Sequence, residues 1–416
     1  MARKMKDSGV EWVKQIPEEW QISSNSHLFS FEKKIVGNEW AKIQLLSLTK
    51  KGIVTKNIND GSGKQPESFS TYQQVHKKQL VMCLFDLDVS AVFSGVSNYD
   101  GMISPAYKVF SINQSLLYPK YIDYYFQAIF INRNYVMYSK SLRKTIDTDN
   151  FMSIKTIVPP LSEQQKIADF LDEKVKEIDN AIEKTKETIE LYEKMKKAVI
   201  EDFVFKRKEK NAIDTGIYYI KKIPTYWGIT KVKYVLDENG LKTKTGLEEP
   251  LSVSQKYGLI PTKNMDSVPL QMADYSKCKI VHKNDLVFNK LKAHLGVFYH
   301  SDYEGIVSPD YAVYQSLNIN VEYLELLFKT KEYISEFIKR STGVGQGFMR
   351  LYTEPLFSMY IPYPSIKEQK EIVNSIRQKH EEIDNLINYK EKIVNDLTCY
   401  KKSLIYEYVT GKKEVK

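Results

Sequence analysis

The feature that most constrains this chain is that its second half repeats its first. Ser8-Gly9-Val10-Glu11-Trp12-Val13-Lys14-Gln15-Ile16-Pro17-Glu18-Glu19-Trp20 matches Thr215-Gly216-Ile217-Tyr218-Tyr219-Ile220-Lys221-Lys222-Ile223-Pro224-Thr225-Tyr226-Trp227. Leu46-Ser47-Leu48-Thr49 is echoed by Leu251-Ser252-Val253-Ser254, each followed by glycine and two aliphatic residues. Val75-His76-Lys77 returns as Val281-His282-Lys283, and Gly101-Met102-Ile103-Ser104-Pro105-Ala106-Tyr107 as Gly305-Ile306-Val307-Ser308-Pro309-Asp310-Tyr311. The offset drifts only between 202 and 207 residues. A collinear series this long does not arise by chance, so two halves of similar fold are expected.

Each half ends in a helical pattern. Leu171, Val175, Ile178, Ile182, Thr185, Ile189 and Tyr192 recur at alternating spacings of four and three, the a/d seam of a coiled coil. A shift of 205 residues carries that seam onto Ile376, His380, Ile383, Ile387, Lys390, Val394 and Leu397. Each buried seam side chain is worth roughly 1.5–3 kcal/mol, so neither row is expected to stay wet. The simplest solution packs one helix on the other, antiparallel and related by a pseudo-twofold. The polar seam positions His380 and Lys390 read as neighbours of frayed or solvated ends. Pro159-Pro160 and Pro364 mark the helix starts, with Ser162/Gln165 and Ser365/Glu368 as capping boxes.

The expected organisation is a globular unit over 1–160, a long helix over 161–208, a second unit over 209–364 and a second helix over 365–412. Runs rich in β-branched and aromatic residues at 80–85 and 103–110 read as strands, while 118–138 and 321–339 read as one or two helices. The fold class is α+β: two similar α+β domains with two long helices forming an antiparallel coiled coil.

The residues offer little catalytic chemistry. A Walker A motif is absent. Val158-Pro159-Pro160-Leu161 has the prolines of an adenine-methyltransferase tetrad but neither flank, and it sits where a helix begins. Gly343-Val344-Gly345-Gln346-Gly347 does not follow a strand and open a helix, as a nucleotide-cradling loop would. Pro309-Asp310 with Glu368-Gln369-Lys370 loosely resembles a nuclease cluster, but the other copy has Pro105-Ala106 there. Cys83, Cys278, Cys399 and the six histidines show no metal-ligand spacing. His76 and His282 are paired by the repeat, which favours a shared fold role. No catalytic residue and no metal ligand is assigned.

A binding role remains. The formal charge of +9 suits a polyanionic partner. Basic or flexible stretches fall at matching places in both halves: Lys64, Gln65, Lys140, Arg143 and Lys144 in the first, and Lys242, Lys244, Lys290, Lys292, His294, Arg340, Gln346 and Arg350 in the second. Lysine and arginine neutralise phosphates, and arginine, lysine, glutamine and asparagine can read base edges. These are the candidate DNA-contacting residues. No secretion signal and no apolar run of membrane-spanning length is present, so a cytoplasmic protein with no membrane partner is expected.

The repeated opening Gly-x-x-x-x-x-x-Ile-Pro-x-x-Trp, the Gly-x-[Ile/Val]-Ser-Pro-x-Tyr stretch and the helix start Pro160-Leu161-Ser162-Glu163-Gln164-Gln165-Lys166-Ile167 together resemble the specificity (S) subunit of type I restriction–modification enzymes. The second helix start departs slightly, as Pro364-Ser365-Ile366-Lys367-Glu368-Gln369-Lys370-Glu371-Ile372. The resemblance covers essentially the whole chain. It implies two target-recognition domains, each reading half of an asymmetric bipartite site in double-stranded DNA. It also implies a helix pair that sets the spacer and docks two methyltransferase (M) subunits, with restriction (R) subunits completing the complex. S-adenosylmethionine, ATP and Mg2+ would then belong to partner subunits, and this chain would have no cofactor and no catalysis of its own. The rivals are a DNA methyltransferase or nuclease acting alone and a coiled-coil scaffold without DNA affinity.

Overall fold

The computed structural model describes the chain except residues 1–2, 59–67, 91, 132, 140–143, 207–208, 221, 256, 267–274, 344–348 and 416. It divides into two compact units, one built from 1–186 with 392–416 and the other from 187–391. The division runs through both long helices, so each unit holds one stretch of each.

In the first unit, Phe29–Phe31, Lys108–Ile112, Leu80–Met82 and Ser94–Val96 form an antiparallel sheet in that order. A mixed sheet runs Gly52–Lys56, Leu45–Thr49, Gly101–Ile103, Gln73–Val75, with Gly101–Ile103 parallel to Leu45–Thr49 and antiparallel to Gln73–Val75. The expected strand over 103–110 is instead two strands in different sheets. Pro105 has no N–H to give a ladder, and the Tyr107 amide closes a turn on the Ser104 carbonyl at 3.2 Å. Helix Pro119–Ile131 buries Tyr121, Ile122, Tyr125 and Phe126 in an aromatic core with Trp20, Phe29, Phe110 and Phe151.

The second unit repeats the plan. Its antiparallel sheet runs Leu236–Glu238, Tyr311–Ser316, Leu286–Asn289, Phe298–His300. Leu251–Ser254 pairs with Gly258–Pro261, and Lys279–Val281 with Gly305–Val307. The helical segment here is two helices, Val321–Phe328 and Lys331–Arg340.

The repeated glycines are explained by this geometry. A Cβ at Gly101 would lie 2.4 Å from the Gln44 carbonyl oxygen, and one at Gly305 would lie 2.3 Å from that of Glu249. Only glycine lets the neighbouring strand come that close. The paired histidines also share a fold role. His76 Nδ1 meets Asp100 at 3.2 Å and His282 Nδ1 meets Glu304 at 2.8 Å, each closing a strand-entry turn.

The long helices span Leu161–Phe205 and Ile366–Val409. In the first unit Phe170 packs on Tyr408, and Lys401 donates to Asp179 at 2.7 Å. In the second, Lys196 donates to Asp384 at 2.6 Å and Lys206 to Glu368 at 2.7 Å. In both, partners rise along one helix as they fall along the other, which makes the pairing antiparallel. Leu171, Ile178, Ile376, Ile383 and Ile387 are buried, while Val175, Ile182, Ile189, Val394 and Leu397 are half-buried. His380 is not at a frayed end: its Nε2 lies 3.0 Å from the Lys196 carbonyl oxygen, and burial lowers the pKa of its ring.

The first capping box differs from expectation. The helix starts at Leu161, which places Ser162 inside it, and the Gln165 amide donates to Asp169 at 3.0 Å. In the second copy Ser365 precedes the helix and accepts from the Glu368 amide at 3.3 Å. The buried glutamines tie both helix starts down. Gln164 donates to the Pro159 carbonyl at 2.8 Å and accepts from the Tyr118 amide at 2.7 Å. Gln369 donates to the Pro364 carbonyl at 2.8 Å and accepts from the Asn320 amide at 2.8 Å.

Candidate nucleic-acid interface

The basic residues predicted from the sequence fall into three groups. Lys64, Gln65, Lys140, Arg143 and Gln346 lie outside the described residues. Lys242, Lys290 and Arg350 come together, whereas Lys144, Lys244, Lys292, His294 and Arg340 sit apart from that cluster or are bound elsewhere.

The cluster is built on strand ends of the second unit. Glu238 closes the edge strand Leu236–Glu238, and Lys290 Nζ reaches it at 3.2 Å just after Leu286–Asn289 ends. Lys279 approaches the same carboxylate at 3.8 Å, and Lys242 pairs its backbone with Lys279 in an isolated bridge. The Leu351 amide donates to the Lys290 carbonyl at 3.0 Å, which brings Arg350 alongside. The Arg350 guanidinium lies 5.6 Å from the centre of the half-exposed Tyr352 ring, and its buried Nε has no hydrogen-bond partner among the described residues.

The electrostatics follow from crowding. Burial works against ionising Glu238, but the Thr353 hydroxyl and the two lysines outweigh it, holding its carboxyl below the usual range. Burial, then the neighbouring charges of Lys290 and Lys242, lower the pKa of Lys279. Glu238 thus offsets one of several cations and leaves a net positive patch with an arginine and a tyrosine at its edge. Such a patch offers phosphate neutralisation from lysine and planar, bidentate donation from arginine.

The remaining candidates have other surroundings. The Arg340 side chain donates to Glu336 at 3.3 Å and to the Ser358 hydroxyl at 3.0 Å. Lys292 is exposed on a turn whose amides are held by Asn289, and His294 lies half-buried in the following 3-10 turn, Ala293–Leu295. Lys244 is exposed beside the buried Thr243. Lys144 has a left-handed backbone (φ 47°), and its carbonyl accepts from the Leu87 amide at 3.3 Å.

Sequence reasoning missed Lys279, because it looks like an ordinary strand residue. Its counterpart in the first unit is Gln73. Gln73 donates to the Tyr107 carbonyl at 2.7 Å, and Lys279 donates to the matching Tyr311 carbonyl at 2.8 Å. One framework bond is therefore made by a neutral side chain in one unit and a cation in the other.

Fold and cluster define a class: a chain of two like α+β units carried on two long helices, with a framework bond kept in both and the charge of the side chain that makes it changed. The family model described as "Type I restriction modification DNA specificity domain" matches residues 83–191 and 236–395. The chain belongs to that family.

A curated relative, the type I restriction enzyme MjaVIII specificity subunit of Methanocaldococcus jannaschii, is 22% identical over 251 residues. That match covers 56% of each protein, so the chain spans about half the length of this relative. Among solved structures, a chain from a study of complex assembly and conformational transition of the type I R-M system aligns with TM-score 0.65 at 14% identity, covering 96% of this chain and 99% of that one. The HsdS subunit from Thermoanaerobacter tengcongensis aligns with TM-score 0.55 at 13% identity, covering 96% and 98%. At these identities the two structures speak for the fold.

Proposed function

We propose that this chain is the DNA-reading subunit of a type I restriction–modification complex, each α+β unit reading one half of an asymmetric, bipartite site in double-stranded DNA. The observation that carries the reading is a framework bond kept in both units but made by a neutral, buried Gln73 in one and by a cation, Lys279, beside the basic cluster in the other. Two similar readers with dissimilar contact residues recognise two different short sequences. Lys242, Lys244, Lys290, Lys292, His294, Arg350 and Lys279 are the second unit's proposed contacts, and Lys64, Gln65, Lys140, Arg143 and Lys144 the first unit's. Gln346 and Arg340 complete the second set, with Arg340 having to leave Glu336 to reach DNA.

The antiparallel helices set the distance between half-sites and dock two methyltransferase subunits, and restriction subunits join the full complex. S-adenosylmethionine, ATP and Mg2+ act on those partners, while this chain positions them. The complex works in the cytoplasm; no helix among the described residues is long and apolar enough to cross a membrane. The test is a gel shift of the chain assembled with methyltransferase subunits. A site-specific complex whose affinity falls steeply with salt is expected. DNA affinity that is absent, or insensitive to salt, would favour the scaffold reading, and DNA modification by the chain alone would favour the enzyme reading.

A further inference from the structure

We propose that Glu238 is a specificity-determining residue of the second unit, an ionic latch that keeps Lys290 and Lys279 on its own carboxylate and withholds them from DNA offering phosphates alone. The inference rests on the DNA-reading proposal and deepens it. The counterparts of the three residues follow from matched registers. Glu238 faces Tyr314 across its sheet as Phe31 faces Phe110. The Lys290 carbonyl accepts from the Leu351 amide at 3.0 Å, as the Leu84 carbonyl accepts from the Ile146 amide at 2.8 Å. Lys279 faces Val307 as Gln73 faces Ile103, and each side chain donates to its matching tyrosine carbonyl.

The first unit therefore builds with Phe31, Leu84 and Gln73, all neutral, the corner that the second builds with a glutamate and two lysines. The fold does not require the charges, and they are poorly solvated. The Lys279 and Lys290 side chains are only 13% and 15% exposed, and that of Glu238 is 30% exposed. Drawing charges out of water is unfavourable unless each finds a partner, and here two cations share one carboxylate. An arrangement with that penalty, absent from the sister unit, points to function rather than to folding.

The carboxylate is held from several sides. Lys290 Nζ donates to its Oε1 at 3.2 Å, Lys279 Nζ stands 3.8 Å from the same oxygen, and the Thr353 hydroxyl donates to Oε2. Thr353 is fixed in turn by the buried Tyr314, whose hydroxyl lies 3.1 Å away. Among the described residues the Lys290 ammonium has no other acceptor. A phosphate that draws Lys290 away forms one ion pair while breaking another, and it brings negative charge toward Glu238. On DNA of arbitrary sequence that exchange yields little net attraction. At the correct half-site, base-edge contacts from the surrounding residues supply the difference. Lys242, exposed, and Arg350, beside Tyr352, stand outside the latch and remain for contacts with either kind of DNA.

The test is a series of gel shifts, over a range of salt, with the full chain assembled with methyltransferase subunits. One duplex carries the sequence the complex methylates, and a second of equal length lacks it. Glu238→Gln is expected to bind the motif-free duplex about fivefold tighter or more, with a salt slope steeper by about one for each lysine released. Its affinity for the motif duplex should change less than about twofold, so discrimination falls. Lys290→Gln should weaken the motif duplex and leave the motif-free one within about twofold, because the latch already withholds that ammonium. In the double variant the gain from Glu238→Gln on motif-free DNA should largely vanish, whereas mere loss of a negative charge would preserve it. Should Glu238→Gln fail to fold, Lys290→Gln with unchanged far-UV circular dichroism decides the matter. Unchanged motif-free affinity in Glu238→Gln overturns the latch. So does a gain that persists in full without Lys290, or a Lys290→Gln variant that weakens both duplexes equally. A parent complex that binds neither duplex overturns the DNA reading itself, and the latch with it.

Discussion

Replacing Asp123 by asparagine should stabilise the first unit increasingly as the pH rises from about 4 to about 7, and by a constant amount above that. Burial, opposed weakly by the Val96 amide and Gln127 and reinforced by Asp172, pushes the Asp123 carboxyl from 3.8 up to about 7. Between those two values the folded chain keeps a proton that the unfolded chain has lost. Native stability therefore falls as pH rises across that window and levels off above it. A shift of roughly three units corresponds to on the order of 4 kcal/mol. Part of the side chain reaches the surface although Oδ1 is enclosed, which brings the expected gap to about 2–4 kcal/mol. The substituted asparagine keeps the contact with Gln127 and does not ionise, so the variant's stability curve should be flat where the parent's slopes. Urea unfolding of both proteins at pH 4 and pH 8.5, followed by tryptophan fluorescence, reads the difference. Equal stabilities at pH 8.5, or a less stable variant there, would refute the reasoning.

Four other substitutions test the same packing. Gly305→Ala should cost about 1–3 kcal/mol or prevent folding, because its Cβ would collide with the Glu249 carbonyl; thermal melts check this. Ile383→Ala, on the buried seam, should cost about 2–5 kcal/mol. Lys196→Ala, at the partly exposed pair with Asp384, should cost under about 1 kcal/mol, and denaturant midpoints rank the two. The His300–Glu325 hydrogen bond raises the imidazole pKa above its ordinary value near 6.5, so its contribution is full below that value and is lost as pH rises through the folded one. His300→Gln should accordingly weaken the second unit more at pH 6 than at pH 8.5.

What the sequence disclosed and what it hid divide along physical lines. Periodic burial is written in the chain, so the seam from Leu171 to Leu397 and the paired histidines could be read directly. The collisions that demand Gly101 and Gly305 were visible as repeated glycines, though not their cause. Local punctuation was harder. A single proline broke 103–110 into two strands, and the helix takes in Leu161 as its first residue, which puts Ser162 inside it rather than at its cap. The contact surface was least legible. A lysine in sequence looks the same whether it is exposed like Lys292 or held by a half-buried carboxylate as Lys290 is. Arg340 reads in sequence as one more basic residue, and nothing near it in the chain records that in the fold it also braces Glu336. Charge partners distant in the chain decide these cases, and no local pattern records them.

The most direct test of two independent readers is to replace residues 9–160 with the corresponding unit of another family member and map methylated adenines genome-wide in cells expressing the chimera with methyltransferase subunits. One half of the recognition sequence should change while the other half and the spacer stay as in the parent. Alteration of both halves, or of neither, would contradict the account.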